Sequence, residues 1–427
     1  MTQTILADSS SLLILGASTR AAAASAVRAG FHPVCADRFG DEDLRRIATV
    51  FAVNDDLSCT LDAVNALPPM PWIYTGSVEN DPELIAAVSQ RHTLLGNPPS
   101  VLQKVRDPFW LERTLRAYDL PALRVCSNVD ECLRFGCHRS SDACVRMDFR
   151  PDVGVRSTNE TWLLKPTRGG GGYRIAVWSG QALPASEQFH LQEHRVGVPM
   201  SALFVANEVD AKLIGVCEQL IGSTAGAPTE FGYAGSIGPI VVSDRARELL
   251  QRLGNTLTRE SQLRGLFGID FVLAEDIPWL VELNPRYTAS VEVFERAFGR
   301  ALLIDQSLVS LAPSSQWGEG KKARATMAIR PPRIVGKQIL FATSDLIAPS
   351  LEAQLVPDGR TYESPWIADI PKPDSMIAAG WPICTIFAEA ATIGEVRTQL
   401  AARRQIIERA LTSTRNQTSS SRVRQQP

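Results

Sequence analysis

The sequence predicts a mixed fold with an N-terminal doubly wound α/β domain, a central α+β domain and a small C-terminal α+β region. The segment SLLILGASTRAAAASAVRAGFHPVCAD has the order strand, glycine turn, small-residue helix and strand, which is typical of the start of a doubly wound sheet. From about residue 160 to about residue 300, glycine-punctuated strands replace this alternation. Shorter strands such as CTIFAEA follow, with a helix from about Ile393.

The composition bounds the classes of protein to which the chain can belong. Its 427 residues, 44% of them hydrophobic, suffice for about two or three domains with buried cores. The 44 basic and 46 acidic residues give a net charge of −2, which argues against nucleic-acid binding through a broad basic surface. No apolar run approaches about 18 residues and no N-terminal stretch resembles a secretion signal, so we expect a cytoplasmic protein without a membrane partner.

Changes of pattern along the chain predict the domain boundaries. We expect the N-terminal α/β domain over residues 1–97, with a further strand at MPWIYTG and a helix at DPELIAAVSQR. The central domain is expected at 98–312, followed by the small region at 313–412, where RATMAIRP is another strand. Residues 413–427 are polar, and we predict that they form a disordered tail.

The first turn of the N-terminal domain allows two interpretations. The first strand ends at Gly16, and Asp37 follows the second strand, where a dinucleotide-binding domain has its ribose-binding acid. The turn GASTR, however, lacks the GxGxxG pattern that lets a backbone approach a pyrophosphate. The turn is either a divergent dinucleotide site or, as we favour, a tight connection between strand and helix.

Half of the eight cysteines lie close together in the central domain. They are Cys126, Cys132, Cys137 and Cys144, with His138 beside them. None of the gaps is the CxxC spacing typical of structural zinc, so reduced thiols are favoured over a metal site. Eight cysteines in a chain of this length do not indicate a disulfide scaffold.

A lysine and four glycines stand between two apolar runs in LLKPTRGGGGYRIAVW. Lys165 ends the first run, and the glycines are Gly169, Gly170, Gly171 and Gly172. Glycines leave backbone N–H groups uncovered for phosphate oxygens, and a lysine upstream adds a mobile positive charge. No GK[ST] follows, so the segment is not a P-loop. It is either a phosphate-binding flap or a plain hairpin turn.

Oxygen-bearing side chains lie on two apolar strands in GIDFVLAEDIPWLVELNPRYTAS. Asp270 belongs to the first strand, and Glu282 and Asn284 occupy alternate positions of the second, so the latter two share one face. A hairpin through AEDIP can place Asp270 opposite them. Two carboxylates and an amide oxygen suit Mg²⁺, and the fork of Arg286 suits a phosphoryl group. A surface hairpin with solvated acids fits poorly, because unpaired charges are costly within apolar strands.

A third candidate lies at the junction between two strands in FHLQEHRVGVPMSALFVA. The first strand ends at Gln192 and Glu193, and Gly197 leads into the next. Such a junction can offer backbone groups to an adenine edge while the Glu193 carboxylate accepts from an amino or ribose hydroxyl group. An ordinary strand connection explains the same pattern.

Together and in this order, these features resemble the ATP-grasp superfamily, in its carboxylate–amine ligase-like branch. LLKPTRGGGGYR is similar to the phosphate flap of that superfamily, LQEH to its adenine hinge and DFVL…VELNPR to its magnesium strands. GASTRAAAASAVRAG, FGYAGSIGP and VELNPRYTASVEVFERA are similar to uncharacterised members of the branch, and AAGWPICTIFAEA to the C-terminal domain of biotin carboxylase-like members. The resemblance covers most of the chain. It implies a pre-ATP-grasp domain followed by an ATP-grasp domain of two α+β subdomains.

The resemblance implies ATP contacts for several of these residues. Lys165 would contact the α- and β-phosphates, Gly169–Gly172 would close over the triphosphate, and Glu193 would lie at the adenine–ribose end. The superfamily usually has another nucleotide-binding lysine in the helix before the grasp domain, and this sequence departs from that pattern. Arg106 or Lys104 can supply the missing charge.

The resemblance also implies a metal set. Asp270, Glu282 and Asn284 would hold one or two Mg²⁺ ions, or Mn²⁺, with Arg286 near the γ-phosphate or the reaction intermediate. Lys165 and Arg286 are therefore the expected catalytic residues. Two further residues, Ser201 and Gln219, fall where members of the superfamily often line the cavity.

The implied activity is an ATP-dependent ligation of a carboxylate to an amine through an acyl phosphate. The resemblance suggests an amino-acid or glutamate ligase of coenzyme biosynthesis, with small-molecule carboxylate and amine substrates and with dimerisation, which is common among such enzymes. A biotin carboxylase-like or other ATP-grasp enzyme is the first alternative. A nucleotide-binding protein without catalysis is the second.

Overall fold

The computed structural model describes most of the chain. The described residues are 11–53, 57–128, 137–139, 144–147, 157–159, 161–181, 183, 189–304, 333–351, 355 and 365–423. The predicted strand RATMAIRP at 324–331 and Cys132 lie outside them. Within these ranges, no helix combines the length and apolar character needed to cross a membrane.

A parallel sheet forms the N-terminal domain, as the sequence predicts. Its strands are β1 (Ser11–Gly16), β2 (His32–Asp37), β3 (Thr49–Ala52), β4 (Pro71–Tyr74) and β5 (Thr93–Leu94). The order in the sheet is β3–β2–β1–β4–β5, so the chain runs outward from β1 to β3 and then returns to the other side of β1 at β4. This reversal opens a crevice at the carboxyl ends of β1 and β4, which is where open α/β sheets bind ligands.

The helices of this domain separate its strands. They are α1 (Arg20–Arg28), α2 (Glu42–Ile47), α3 (Leu57–Asn65) and α4 (Pro82–Ser89). The small side chains Ala22, Ala23 and Ala26 of α1 share one core with Phe294 of the central domain. Because alanine allows close approach, the alanine-rich helix joins the two domains.

Two helices and two small sheets begin the central domain. These elements are α5 (Pro99–Val105), α6 (Pro108–Ala117), β6 (Val125–Cys126), β7 (Cys137–Arg139), β8 (Cys144–Met147), β9 (Ser157–Asn159), β10 (Trp162–Pro166), β11 (Ala176–Val177) and β12 (Phe189–Glu193). One antiparallel sheet has the order β11–β10–β12–β6, and β7–β8–β9 form the other.

A long antiparallel sheet continues the chain. Its elements in the central domain are β13 (Val198–Asn207), β14 (Ala211–Ile221), β15 (Tyr233–Gly238), α7 (Asp244–Ser261), β16 (Arg264–Ala274), β17 (Ile277–Asn284) and α8 (Val291–Phe298). Strands β16 and β17 form the predicted hairpin through AEDIP. Helix α7 packs Leu250, Leu253 and Leu257 against Phe204 and Phe267 of the sheet.

Three of the C-terminal strands named here extend this same sheet, and the other two pair with each other. The elements are β18 (Ile334–Phe341), β19 (Leu346–Ile347), β20 (Ile367–Ala368), β21 (Met376–Ile377), β22 (Pro382–Ala390) and α9 (Ile393–Val423). The full order is β17–β16–β13–β14–β15–β18–β22–β20, and β19 pairs with β21. The small C-terminal region thus shares its sheet with the central domain.

The tail differs from the expectation of disorder over 413–427. The backbone of α9 is helical from Ile393, as predicted, and continues to Val423. No proline or glycine occurs between Glu395 and Val423, so nothing in the backbone chemistry ends the helix earlier. The prediction of disorder is wrong for the backbone of 413–423, and residues 424–427 lie outside the described chain.

Candidate active site

A cavity lies between the small sheet of β10 and β12, helices α5 and α6, and strand β17. Its volume is about 50 Å³. Charged side chains and glycine backbone line it, among them Arg106, Lys165, Gly169, Gly170, Gly172, His190 and Glu282. Residues that the sequence marked in separate segments therefore border one cavity.

Lys165 lies at the inner wall of this cavity and is buried. Its Nζ donates to Oε1 of Gln192 at 2.9 Å, and Nε2 of Gln192 donates to the carbonyl oxygen of Val281 at 3.1 Å. These bonds fasten the small sheet to β17. Burial lowers the pKa of Lys165, although the nearby Glu282 carboxylate opposes this.

The glycine segment, residues 169–172, crosses the mouth of the cavity. The carbonyl oxygen of Gly171 accepts from the backbone N–H of Tyr233 at 3.0 Å. Gly172 has φ +75°, and a Cβ atom there would overlap the carbonyl oxygen of Phe231. Gly170 has open space around it. Glycine is therefore required at 172, where the segment meets the loop before β15, and not at 170.

Arg106 and Lys104, the two cations that could supply the missing charge, lie in different places. Nη2 of Arg106 donates to Oδ1 of Asn80 at 3.1 Å and to the carbonyl oxygen of Gly169 at 2.9 Å. Nζ of Lys104 lies at the surface, 3.4 Å from the carbonyl oxygen of Glu260. Only the first of these two cations reaches the cavity and the glycine segment.

The predicted metal set is brought together by the hairpin of β16 and β17. Asp270 stands opposite Glu282 in the strand register. Nδ2 of Asn284 lies 2.9 Å from Oδ2 of Asp270 and 3.3 Å from Oε1 of Glu282. Nε2 of Gln219 donates to the other oxygen of Asp270 at 2.9 Å, and Nη2 of Arg286 donates to Oδ1 of Asn284 at 3.2 Å. We call Asp270 and Glu282 the carboxylate pair.

The two members of the carboxylate pair differ in acidity. Burial and the neighbouring Glu282 carboxylate raise the pKa of Asp270 to about 8. Burial also disfavours the charge on Glu282, but Lys165 and Arg106 hold the pKa of this carboxyl below its ordinary value. The pair therefore has too little positive charge nearby to ionise both of its members at neutral pH.

The carboxylate pair fits a divalent cation. Oxygens of both acids converge on a single point, where the amide nitrogen of Asn284 now donates to them. Carboxylate and amide oxygens are the ligands that Mg²⁺ prefers. To act as a ligand through Oδ1, Asn284 must turn its amide away from Arg286. Among the described residues, no cluster of three or more His, Cys, Asp or Glu side chains is arranged for a metal ion.

Arg286 connects this site to the N-terminal domain. Its Nε donates to Oε1 of Glu79 at 2.6 Å, and its guanidinium lies beside Gly76. Gly76 follows β4, and its carbonyl oxygen accepts from the N–H of Ala17 after β1 at 3.1 Å. Arg286 therefore faces the crevice where the parallel sheet reverses its strand order.

The carboxylate of Glu193 is already engaged in two ion pairs. Its Oε2 accepts from Nε of Arg124 at 3.0 Å, and its Oε1 accepts from Nη2 of Arg195 at 2.8 Å. The guanidinium of Arg195 also stacks on Trp279 at 4.2 Å. The carboxylate fastens the end of β12, and contact with a ribose requires it to exchange one of these partners.

The choice between a dinucleotide site and a tight turn, left open by the sequence, receives a structural answer. Asp37 accepts hydrogen bonds from the N–H and hydroxyl of Thr19 at 2.6 and 2.8 Å, and from the N–H groups of Phe39 and Gly40. An acid satisfied in this way is part of a tight turn and has no lone pair left for a ribose. Of the cysteine cluster, Cys126 is buried, and Cys132 lies outside the described residues.

Sequence reasoning missed three polar residues of the site. Glu79 holds Arg286, Gln192 holds Lys165, and His190 lines the cavity. Strand alternation could have found the last two, since His190 and Gln192 share one face of β12. The position of Glu79 just after β4, at the reversal of strand order, is the signal for the first.

Residues 150–290, which include the glycine segment and the carboxylate pair, match the sequence profile of the ATP-grasp domain. The chain carries an ATP-grasp domain. An uncharacterised protein of Methanocaldococcus jannaschii is 21% identical over 397 residues, and the match covers 88% of each chain. The region matched by that relative extends well beyond the ATP-grasp domain itself.

Solved structures with the same fold support this assignment. The biotin carboxylase domain dimer of Hydrogenobacter thermophilus 2-oxoglutarate carboxylase, in complex with MgADP and bicarbonate, superposes with a TM-score of 0.61 at 13% identity. The match covers 89% of this chain and 86% of that one. The L-amino acid ligase of Bacillus licheniformis superposes with a TM-score of 0.60 at 13% identity, covering 93% and 97%. The shared fold of these structures thus covers the regions on both sides of residues 150–290.

Proposed function

We propose that the protein is an ATP-dependent ligase that joins a carboxylate to an amine through an acyl phosphate. The observation that carries the proposal is the convergence of Lys165, Arg106 and the glycine segment on the cavity that Glu282 also lines. Cations and uncovered backbone suit a triphosphate, and the carboxylate pair suits the Mg²⁺ that accompanies it. A solved structure of the same fold contains MgADP, which supports ATP and Mg²⁺ as the cofactors of this protein.

Nucleotide binding requires the glycine segment to move. The cavity of about 50 Å³ is far smaller than the roughly 300–1,000 Å³ of ordinary ligand sites. The segment is held by hydrogen bonds from Tyr233 and Arg106 to its carbonyl oxygens. Because only a few hydrogen bonds hold its backbone, the glycine segment can open readily and close again over the phosphates. Closure would also protect an acyl phosphate from water.

The proposed chemistry has two steps. An oxygen of the substrate carboxylate attacks the γ-phosphorus of ATP, and ADP leaves. The amine nitrogen then attacks the carbonyl carbon of the acyl phosphate, inorganic phosphate leaves, and the nitrogen loses a proton. Mg²⁺ held by Asp270, Glu282 and Asn284 would neutralise negative charge on the phosphates.

The chain's own residues orient these groups. Lys165 holds the phosphates from the β10 side, fixed in place by Gln192. Arg286 stands between the carboxylate pair and the crevice of the N-terminal sheet, held at both ends by Asn284 and Glu79. Its fork can stabilise the charge that develops on the transferring phosphoryl group. We infer that the carboxylate substrate binds in this crevice, beside Arg286.

The substrate class is the finer part of the proposal. We infer an amino acid or glutamate as one partner, since a structure of the same fold is an L-amino acid ligase. The biotin carboxylase domain of the same fold was solved as a dimer, and we propose a homodimer for this chain too.

A screen of carboxylate and amine pairs for ATP-dependent phosphate release, with mass spectrometry of the products, tests the function. Release that needs both partners and yields their amide supports the ligase. ADP formation that depends on bicarbonate instead identifies a carboxylase-like activity. ATP binding with no turnover across the whole screen contradicts the proposal and leaves a nucleotide-binding protein.

A further inference from the structure

One buried polar side chain in the cavity has no hydrogen-bond partner. His190, on β12, is 5% exposed, lines the cavity, and has an unpartnered Nδ1 among the described residues. Nearly all buried polar groups in folded proteins are paired, because an unmade hydrogen bond costs about 1–3 kcal/mol. The unmade hydrogen bond at His190 therefore costs the fold free energy, which a role in binding would explain.

The strand register places His190 at the phosphate end of the cavity. In the pairing of β10 with β12, His190 stands directly opposite Lys165, so both side chains point to the same face. The next pair, Pro166 and Phe189, leads toward the glycine segment. Gln192, which holds Lys165, lies on the other side of His190, toward the hinge. A group bound by Lys165 is thus within reach of His190.

The imidazole is neutral in this setting. Burial and the positive charge of Lys165 lower the pKa of His190 to about 3, although the Glu282 carboxylate opposes this. The ring edge of Phe109, from α6, covers another side. A neutral imidazole carries one N–H donor and adds no second cation beside the lysine.

We propose that His190 is a phosphate-positioning residue, whose ring N–H donates a hydrogen bond to the nucleotide phosphate chain beside Lys165. This inference rests on the proposed nucleotide site. Nδ1 of His190 is unsatisfied in the free protein and becomes satisfied in the complex. Its contribution therefore appears in binding, and its removal does not weaken the free fold.

His92 provides a matched control, because it is a buried histidine with its hydrogen bonds made. Its Nδ1 accepts from the N–H of Met70 at 3.4 Å, and its Nε2 lies 3.2 Å from the carbonyl oxygen of Val64. It belongs to the N-terminal domain, away from the cavity. His92→Leu should lower the unfolding temperature and leave ATP affinity unchanged.

The test is calorimetric titration of ATP, ADP and adenosine, with Mg²⁺, into wild type, His190→Leu, His190→Asn and His190→Gln. We expect His190→Leu to weaken ATP and ADP about tenfold, the loss of one hydrogen bond, and to leave adenosine unchanged. His190→Asn, whose amide nitrogen can take the place of Nδ1, should recover affinity better than His190→Gln. Without nucleotide, the unfolding temperature of His190→Leu should equal or exceed that of wild type.

Several results would overturn the inference. If His190→Leu binds ATP as wild type does, or loses ATP and adenosine equally, His190 does not position phosphates. A lower unfolding temperature for His190→Leu without nucleotide, as in His92→Leu, indicates a structural role instead. If His190→Leu does not fold, the two amide variants provide the test. The inference then fails if neither variant keeps the wild-type ratio of ATP affinity to adenosine affinity. Wild-type protein that binds no ATP contradicts the proposed function itself.

Discussion

Two clusters of buried charge in this protein differ in how completely they are paired. The junction cluster joins three parts of the chain: Arg20, Asp43, Glu292, Lys337 and Asp369. Arg20 donates to Glu292 and, at 2.8 Å, to Asp369, and Lys337 donates to Glu292 at 2.8 Å. Asp43 accepts from the N–H groups of Asp369 and Ile370 at 2.9 and 3.0 Å. The carboxylates named here all have a strong donor.

The carboxylate pair of the cavity is the opposite case. Asp270 and Glu282 share the amide nitrogen of Asn284, and Asp270 has one further neutral donor, Gln219. The pKa of Asp270 rises to about 8 through burial and its acidic neighbour. Burial also disfavours the charge on Glu292, yet Arg20 and Lys337 hold the pKa of that acid well below its ordinary value. A buried charge does not by itself indicate a functional site. Incomplete pairing beside a cavity lined by cations and glycine backbone is the more specific signal.

Removing the central cation of the junction cluster should have the largest effect. Arg20→Met leaves the buried Glu292 and the partly buried Asp369 without their main partner, so the free energy of unfolding should fall by about 3–5 kcal/mol. Urea denaturation measures this. Arg259→Met is the control, since its pair with Asp210 is more than half exposed and should contribute less than about 1 kcal/mol. Equal costs for the two variants would contradict the structural importance of the junction.

Two positions of the glycine segment, Gly170 and Gly172, should respond differently to substitution by alanine. Gly172→Ala introduces a side chain at φ +75° that overlaps the carbonyl oxygen of Phe231, so the segment must shift from its place over the cavity. ATP affinity should fall about tenfold, a loss of about 1.4 kcal/mol. Gly170→Ala meets open space and should change affinity less than about twofold. ATP titrations that rank the two variants equally would count against a closed segment.

Asp41 lies beside the junction cluster, and its burial near other acids predicts a smaller, pH-dependent effect. Burial and the carboxylates of Asp369 and Asp43 raise the pKa of Asp41 to about 9. The folded state then holds a proton that the unfolded state releases near pH 4, so stability should fall as the pH rises from about 5 to 9. The slope is at most about 1.4 kcal/mol per pH unit.

Asp41→Asn removes the titrating group and tests this directly. Thermal unfolding from pH 5 to 9 should show a flatter profile than wild type and a higher midpoint at pH 8. If the variant keeps the wild-type pH profile, or is less stable at pH 8, the carboxyl group of Asp41 is not strained by its neighbours.

The sequence predicted the cavity better than the junction. Asp270 and Glu282 lie within one hairpin, so strand alternation alone indicated that they could meet. The glycine segment could be recognised from its four consecutive glycines. Arg20 and Glu292, in contrast, are 272 residues apart, and each occupies an ordinary helix. Only the packing of α1 on α8 brings them together.

Residues at the edge of the site were predicted less well for the same reason. Glu193 was identified from its strand, but its partner Arg124 lies 69 residues earlier, so its ion pair was not visible. The choice between Arg106 and Lys104 depended on which face of α5 meets the cavity. Such long-range pairings are set by the fold as a whole, and a single sequence contains no local signal for them.

The central claim is that Glu282 and Asp270 bind the divalent cation that accompanies ATP. Calorimetric titration of ATP with and without Mg²⁺, for wild type and Glu282→Gln, tests it without knowledge of the substrates. We predict that Mg²⁺ strengthens ATP binding to wild type at least about tenfold and that Glu282→Gln loses this gain while remaining folded. The same Mg²⁺-dependent gain in both proteins would contradict the account.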